Sequence, residues 1–408
     1  MQMKGSMNML NFTTTFVRVC FNGGTKQLAH IWFILAFSLC LLPGFSGCKN
    51  SREKASNQFT DKFLRQLAEC KSFDQAFEKV RDVQLSTQRD ALIGRVTDLV
   101  IASDGRIIVA DDMGRQVLMF SPEGKFLRRI GRFGDGPGEY HSPSLVTVDP
   151  EQNIYVFDPT LAKVFIFDAE GNFKRLIFTR EFVSRMAATS SGVYLQEFTF
   201  EGRNSIFQYD TTGKLIRTFS SIPENFRELL MRLSAGGGLI ADDQGNLYQI
   251  MVAKYEILKF SPDGSLMAKF ARTPPFLKPY PEKLPSHAND RRKFNELIFD
   301  RTLIHRLFYL KPGLLLVQLI NHDAQRRPTV FFEIYDIYGR FVTGFPQVYN
   351  VFGRLLSGKP LFGGDLMPNL VISSFDSSIC FEIHIHNDST GVALNPKLAF
   401  YRLRGVSQ

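Results

Sequence analysis

The sequence predicts an all-β fold, a six-bladed β-propeller of four-stranded antiparallel blades. Three features point to it. One is a hairpin motif that returns five times along the chain. Another is a second strand pair ahead of the hairpins. The third is composition: 39 Phe against a single Trp, with abundant Val and Ile, residues that fit a pleated, half-buried surface.

The motif reads aromatic, two turn-formers, one further residue, Gly, then an alternating strand. It appears as FSPEGKFLRRI from Phe120, FDAEGNFKRLI from Phe167, YDTTGKLIRTF from Tyr209, FSPDGSLMAKF from Phe260 and YDIYGRFVTGF from Tyr335. Gly124, Gly171, Gly213, Gly264 and Gly339 stand where a tight hairpin needs a positive φ. In the first unit Thr97–Ala102 and Arg106–Ala110 supply the preceding strands. Leu145–Val148 and Ile154–Asp158 do so in the second, and Gly237–Ala241 and Asn246–Ile250 in the fourth. Four strands in roughly 40 to 50 residues is a propeller blade. A degenerate sixth unit is expected in the tail, from Leu370–Ser374, Ile379–Ile385 and Val392–Leu403. The run Phe77–Leu85 is expected to complete it from the other end of the chain and close the ring. Phe59, Phe63, Leu64 and Leu67 recur at helical spacing just before it.

Two stretches interrupt the repeat. Residues 273–301 begin Pro-rich and end charged, and read as an inserted loop with one helical turn. Ser221–Leu233 reads as a shorter helical connection. The propeller itself is assigned to residues 77–404.

The first fifty residues are an address. Ile31–Leu42 is uncharged and apolar, as long as a signal-peptide core and short for a membrane span. Lys4, Arg18 and Lys26 precede it with no acid, so the formal +9 of the whole chain falls to about +6 beyond residue 47. Phe45-Ser46-Gly47-Cys48 resembles a lipobox, the processing site of bacterial lipoproteins. The resemblance implies a signal peptide over residues 1–47, cleavage before Cys48 and lipid on its sulfur. Several acyl chains together anchor firmly. Residues 48–76 would then be a tether and a short helix. An uncleaved anchor and ordinary secretion are the alternatives, and all three place the domain outside the cytoplasm, in a bacterial cell envelope.

The first two units, residues 107–131 (IIVADDMGRQVLMFSPEGKFLRRIG) and 154–177 (IYVFDPTLAKVFIFDAEGNFKRLI), resemble NHL-type blades. The linker GRFGDGPGEYHSP between them resembles that of six-bladed propeller lipoproteins of Bacteroidetes-like bacteria. The likeness covers about a third of the chain. It implies a scaffold that binds a ligand or partner.

Candidate site residues follow from the repeat. A basic residue stands just ahead of the third strand in five units: Arg115, Lys163, Arg203, Lys254 and Arg326. Equivalent positions in a propeller share one face, so these cations form a candidate binding rim for an anionic partner. Local pairing, Asp111 with Arg115 and Asp158 with Lys163, is the competing reading. The loop Gly131–Tyr140 is glycine-rich but lacks the Lys-Ser/Thr and the helix of a phosphate-binding loop. It reads as an inter-blade turn from which Arg132 and Tyr140 could face a ligand. His384 and His386 share a strand face but have no third ligand in sequence. Asp98, Asp111, Asp158 and Asp242 could converge at the channel mouth or cap turns.

No nucleophile elbow, HExxH or Cys/His constellation is present. No catalytic residue, metal site or cofactor is therefore assigned. The function expected is a non-catalytic envelope lipoprotein, a monomer whose propeller face binds a protein partner or acidic glycan. The alternative is a metal-dependent lyase or hydrolase acting in the central channel. A third reading is nucleic-acid binding, against which the export signal and the lack of a Lys/Arg block argue. Beyond Cys48 only Cys70 and Cys380 remain. They are either two free thiols or one bridge from the chain's start to its last blade.

Overall fold

Six clusters of apolar side chains, each lying between two neighbouring sheets, hold the fold together. The computed structural model describes residues 59–406 except 180–181, 199–203, 234–235, 283–289, 325–327, 348–370 and 384–393. These residues belong to one compact unit, Ser56–Gln408.

The chain enters through helix α1 (Asp61–Glu69), capped by the Thr60 hydroxyl accepting from the Phe63 amide at 3.2 Å, and a single turn α2 (Phe73–Ala76). Strand β1 (Phe77–Gln84) follows. Blade 1 comprises β2 (Val96–Ile101), β3 (Ile107–Asp111), β4 (Gln116–Phe120) and β5 (Phe126–Ile130). A short parallel pair, β6 (Arg132–Phe133) with β7 (Glu139–Tyr140), leads to blade 2: β8 (Leu145–Val148), β9 (Ile154–Asp158), β10 (Lys163–Phe167) and β11 (Phe173–Phe178).

Blade 3 is β12 (Phe182–Thr189), β13 (Gly192–Phe198), β14 (Asn204–Tyr209) and β15 (Leu215–Ser221). Helix α3 (Arg227–Arg232) links it to blade 4: β16 (Gly238–Ala241), β17 (Leu247–Met251), β18 (Lys254–Phe260) and β19 (Leu266–Ala271). The insertion carries helix α4 (Arg291–Phe299), nine residues rather than the single turn expected, because Asp290 caps it by accepting from the Arg292 and Lys293 amides. Blade 5 is β20 (Leu303–Leu310), β21 (Leu314–His322), β22 (Pro328–Asp336) and β23 (Phe341–Gln347). Blade 6 takes β24 (Val371–Phe375), β25 (Ser378–Ile383) and β26 (Lys397–Leu403) from the tail, with β1 added outside in the order β1-β26-β25-β24. Ring closure therefore joins the two ends of the chain, from Phe77↔Leu403 to Gln84↔Lys397.

The five motif glycines do what the sequence requires of them. Their φ values run from +83° to +88°. At each turn the glycine amide donates to the carbonyl three residues back, from Gly124 to Ser121 at 2.9 Å through Gly339 to Asp336 at 3.0 Å. Each strand pair also shifts register at the motif aromatic. A tight turn followed by a glycine bulge gives both features.

The aromatic composition is used at the blade interfaces. In the cluster between blades 5 and 6, Phe73 of α2 packs its ring against Phe332, Phe381 and Tyr401 at 5.2–5.8 Å between centroids. Burying one such ring contributes about 2 kcal/mol. The cluster between blades 6 and 1 joins Val83, Leu398 and Phe400 to Leu99, Val109 and Phe120. Cys70 and Cys380 are not joined in a disulfide, so the bridge reading is overturned. Cys380 is fully buried inside the blade 6–1 cluster, where it packs as a small hydrophobe.

Candidate functional site: crossover face and central channel

Antiparallel blades give the ring two unlike faces. Turns between second and third strands, and the crossovers from blade to blade, lie on one face. Hairpins between first and second and between third and fourth strands lie on the other. The innermost strands β2, β8, β12, β16, β20 and β24 line a central channel of about 700 Å³.

The rim candidates that fall in the described residues sit on the crossover face. Arg115 and Lys163 occupy corresponding turns of blades 1 and 2 but are offset by one residue, because positive φ falls on Arg115 (52°) in one turn and on Ala162 (51°) in the other. Neither pairs with the acid of its own turn, so the local-pairing reading fails for both. Asp111 and Asp158 are fully buried and occupied by amides. Asp111 accepts from Gly94, Arg95 and Gly114, and Asp158 from His141, Ser142, Thr160 and Leu161. These carboxylates fasten the incoming crossover to its blade. The cations lie over aromatic rings instead. The Arg115 guanidinium is 4.8 Å from the Phe133 centroid and the Lys163 ammonium 5.5 Å from that of Phe178. Phe133 and Phe178 nonetheless remain 52% and 67% exposed, a large share for aromatic rings.

Lys254 pairs with Glu256 at 3.2 Å and lines a 340 Å³ pocket with Ser220, Gln249 and Lys269. Arg203 and Arg326 lie outside the described residues, as do His384 and His386.

The glycine-rich loop is a structural turn. Tyr140 does not face a ligand: it is fully buried, and its hydroxyl accepts from the Val117 amide at 2.9 Å and donates to the Ile130 carbonyl at 2.6 Å. Arg132 is exposed and pairs with Glu139 at 2.6 Å. The Glu139 carboxyl is held below its ordinary range, first by the Gly136 amide and then by Arg132.

Sequence reasoning missed the charged neck of the channel. Its residues come from alternate blades and share one local device. In β2, β12 and β20 the register slips by one residue near the start of the strand, between Val96 and Asp98, Val183 and Arg185, and Ile304 and Arg306. The bulge residue is Thr97, Ser184 or His305. The Thr97 hydroxyl donates to the Ala110 carbonyl and the Ser184 hydroxyl to that of Gln196. The next residue, Asp98, Arg185 or Arg306, lines the channel.

Arg306 donates to Asp98 at 3.0 Å. Arg185 makes no ion pair among the described residues. Its guanidinium donates to the carbonyls of Gly237 (3.1 Å), Ser184 (2.7 Å) and His305 (3.0 Å). Burial and the neighbouring Arg306 lower its pKa to about 9. His305, deeply enclosed beside both arginines and bonded through Nδ1 to Gln318 at 3.0 Å, is pushed down to about 3 and stays neutral.

The opposite mouth carries acids from the hairpin face. Asp149 and Asp242 cap matching turns, accepting from the Asn153 and Asn246 amides and from the Tyr155 and Tyr248 hydroxyls. Of the four aspartates weighed as channel acids, Asp98 and Asp242 line the channel, while Asp111 and Asp158 are turn caps. Among the described residues no group of three His, Cys, Asp or Glu is placed to hold a metal ion, and no helix is long and apolar enough to cross a membrane.

Residues 65–234 match a family model described as Domain of unknown function (DUF4934). No curated protein matches the chain. Among solved structures it is similar to a Bacteroides fragilis protein described as exported, at 14% identity and TM-score 0.60, over 82% of this chain and 97% of that one. It is also similar to a member of the duf4221 family from Bacteroides vulgatus, at 10% identity and TM-score 0.56, over 81% and 98%. At these identities the likeness establishes the propeller fold.

Proposed function

We propose that the chain is an envelope lipoprotein, tethered through Cys48, whose crossover face binds an acidic glycan without chemical turnover. The observation that carries the reading is the pairing of free cations with exposed rings, Arg115 over Phe133 and Lys163 over Phe178. A ring can cover the C–H face of a sugar while the adjacent cation meets its carboxylate. The likeness to a Bacteroides protein described as exported is consistent with an envelope location.

The Arg115→Glu/Lys163→Glu double variant tests the face. Native protein is expected to be retained on immobilised polygalacturonate and released by salt. The double variant should bind at least tenfold more weakly, since two charge-assisted contacts become repulsions. Equal retention of both proteins would refute the reading. The anchor is tested separately: Cys48→Ser should move the protein from the membrane pellet to the soluble fraction after cell breakage, and continued pelleting would rule out lipid on that sulfur.

A further inference from the structure

The channel neck is a second site, on side chains other than those of the rim. The geometry points to Arg185 and Arg306 as the receptor for the carboxylate or phosphate group of a small molecule that enters the central channel.

The argument starts from charge. Two guanidiniums line the neck, with Asp98 paired to Arg306. The fourth ionisable group there, His305, is neutral. Arg185 bonds directly only to carbonyls, and the one carboxylate whose charge favours it, Asp98, is already paired with Arg306. A charge withdrawn from bulk water without a counter-charge is costly, and buried charges are paired as a rule. An anion supplied from outside removes that cost.

The surroundings are built rather than incidental. The carbonyls of Gly237, Ser184 and His305 fix the Arg185 guanidinium in one orientation and leave part of its donor fork free. The Gly237 carbonyl reaches it because the backbone there takes φ +72° and packs tightly on blade 5. A Cβ on the next residue, Gly238, would lie 2.3 Å from that of Leu307. Behind Arg185 stands its cross-strand neighbour Gln196, fully buried, whose amide oxygen and nitrogen both lack partners. Gln318 holds the same place behind Arg306, with its amide nitrogen unpartnered. Two amides left open directly behind two arginines make a polar cradle with spare donors. The channel volume of about 700 Å³ admits a molecule of metabolite size.

The test is calorimetric titration of the purified full chain with succinate and, separately, with inorganic phosphate. Saturable uptake of at least one probe is expected, and whichever binds more tightly tells the carboxylate source from the phosphate source. Arg185→Gln and Arg306→Gln should each weaken binding about tenfold or more. Asp98→Asn should strengthen it, because it removes the carboxylate that competes for Arg306. Thermal melts report whether each variant is folded; if one arginine variant fails to fold, the other and Asp98→Asn still decide. The Arg115→Glu/Lys163→Glu rim variant should bind both probes as the native chain does. Absence of saturable uptake of both probes, native-like binding by the folded arginine variants, or weaker binding by Asp98→Asn would overturn the assignment.

Discussion

A chain that begins at Leu85 should fail to form a stable monomer. It loses β1, the outer strand of blade 6, and leaves the edge of β26 bare. It also loses Phe59, Leu64, Leu67, Phe73 and Phe77, all buried between blades 5 and 6. At about 2 kcal/mol for each large apolar side chain the loss is on the order of 10 kcal/mol, comparable to the whole stability of an ordinary domain. The exposed edge of β26 then offers a template for strand addition by another copy. Gel filtration and a thermal melt check this: soluble aggregate and no cooperative transition are expected. A monomer that melts within a few degrees of the native chain would show that the seam is dispensable.

Replacing single hairpin glycines by alanine should give a graded series, and the grading separates two effects. Gly124 and Gly171 have the same φ, +84°. Each Ala variant therefore meets the same backbone cost, about 1 kcal/mol. The surroundings differ. A Cβ at Gly171 finds its nearest neighbour, Ile130 Cγ1, at 3.4 Å, whereas one at Gly124 would lie 2.4 Å from the Gln84 carbonyl oxygen. That oxygen belongs to the backbone at the closing seam and cannot swing aside. Gly171→Ala should cost about 1 kcal/mol, and Gly124→Ala about 3 kcal/mol or more. Gly339 falls between: its obstacle at 2.0 Å is the ring of Phe270, a side chain that can shift. Urea unfolding of the three variants is the measurement. Equal losses would mean that the close approach at Gly124 is relieved without cost.

The scaffold was legible because its signals are local. A glycine at positive φ, a turn-former three residues before it and alternation after it are written in consecutive residues. The five hairpins and strands such as Leu145–Val148 follow directly. Closure by Phe77–Leu85 was legible as a strand left over once the tail supplied only three, and β1 pairs with β26 as that count requires.

The channel neck was harder to see, because it depends on bulges that turn a charged side chain inward in blades 1, 3 and 5. A trace of it is nonetheless present. Val96-Thr97-Asp98-Leu99, Val183-Ser184-Arg185-Met186 and Ile304-His305-Arg306-Leu307 share one pattern of β-branched, polar, charged, apolar. A charged residue in the strand nearest the axis of a propeller is the signal that would have found the site. Arg115 and Lys163 do occupy turns between second and third strands, but their partners were not legible. Asp111 and Asp158 looked like neighbours for Arg115 and Lys163, yet burial commits them to backbone amides, which sequence spacing alone does not reveal.

The pairing of β1 with β26 also orders events in time. The first strand of the domain to leave the ribosome is complementary to the last one made. More than three hundred residues must follow before its partner exists. Blades 1 to 5 hold all their strands in contiguous sequence and can assemble one after another, whereas sealing the ring is the most non-local step and the slowest class of contact to form. Until then both unsealed ends present open strand edges to their surroundings, which makes this interval the one in which a folding helper or a protease has its chance to act.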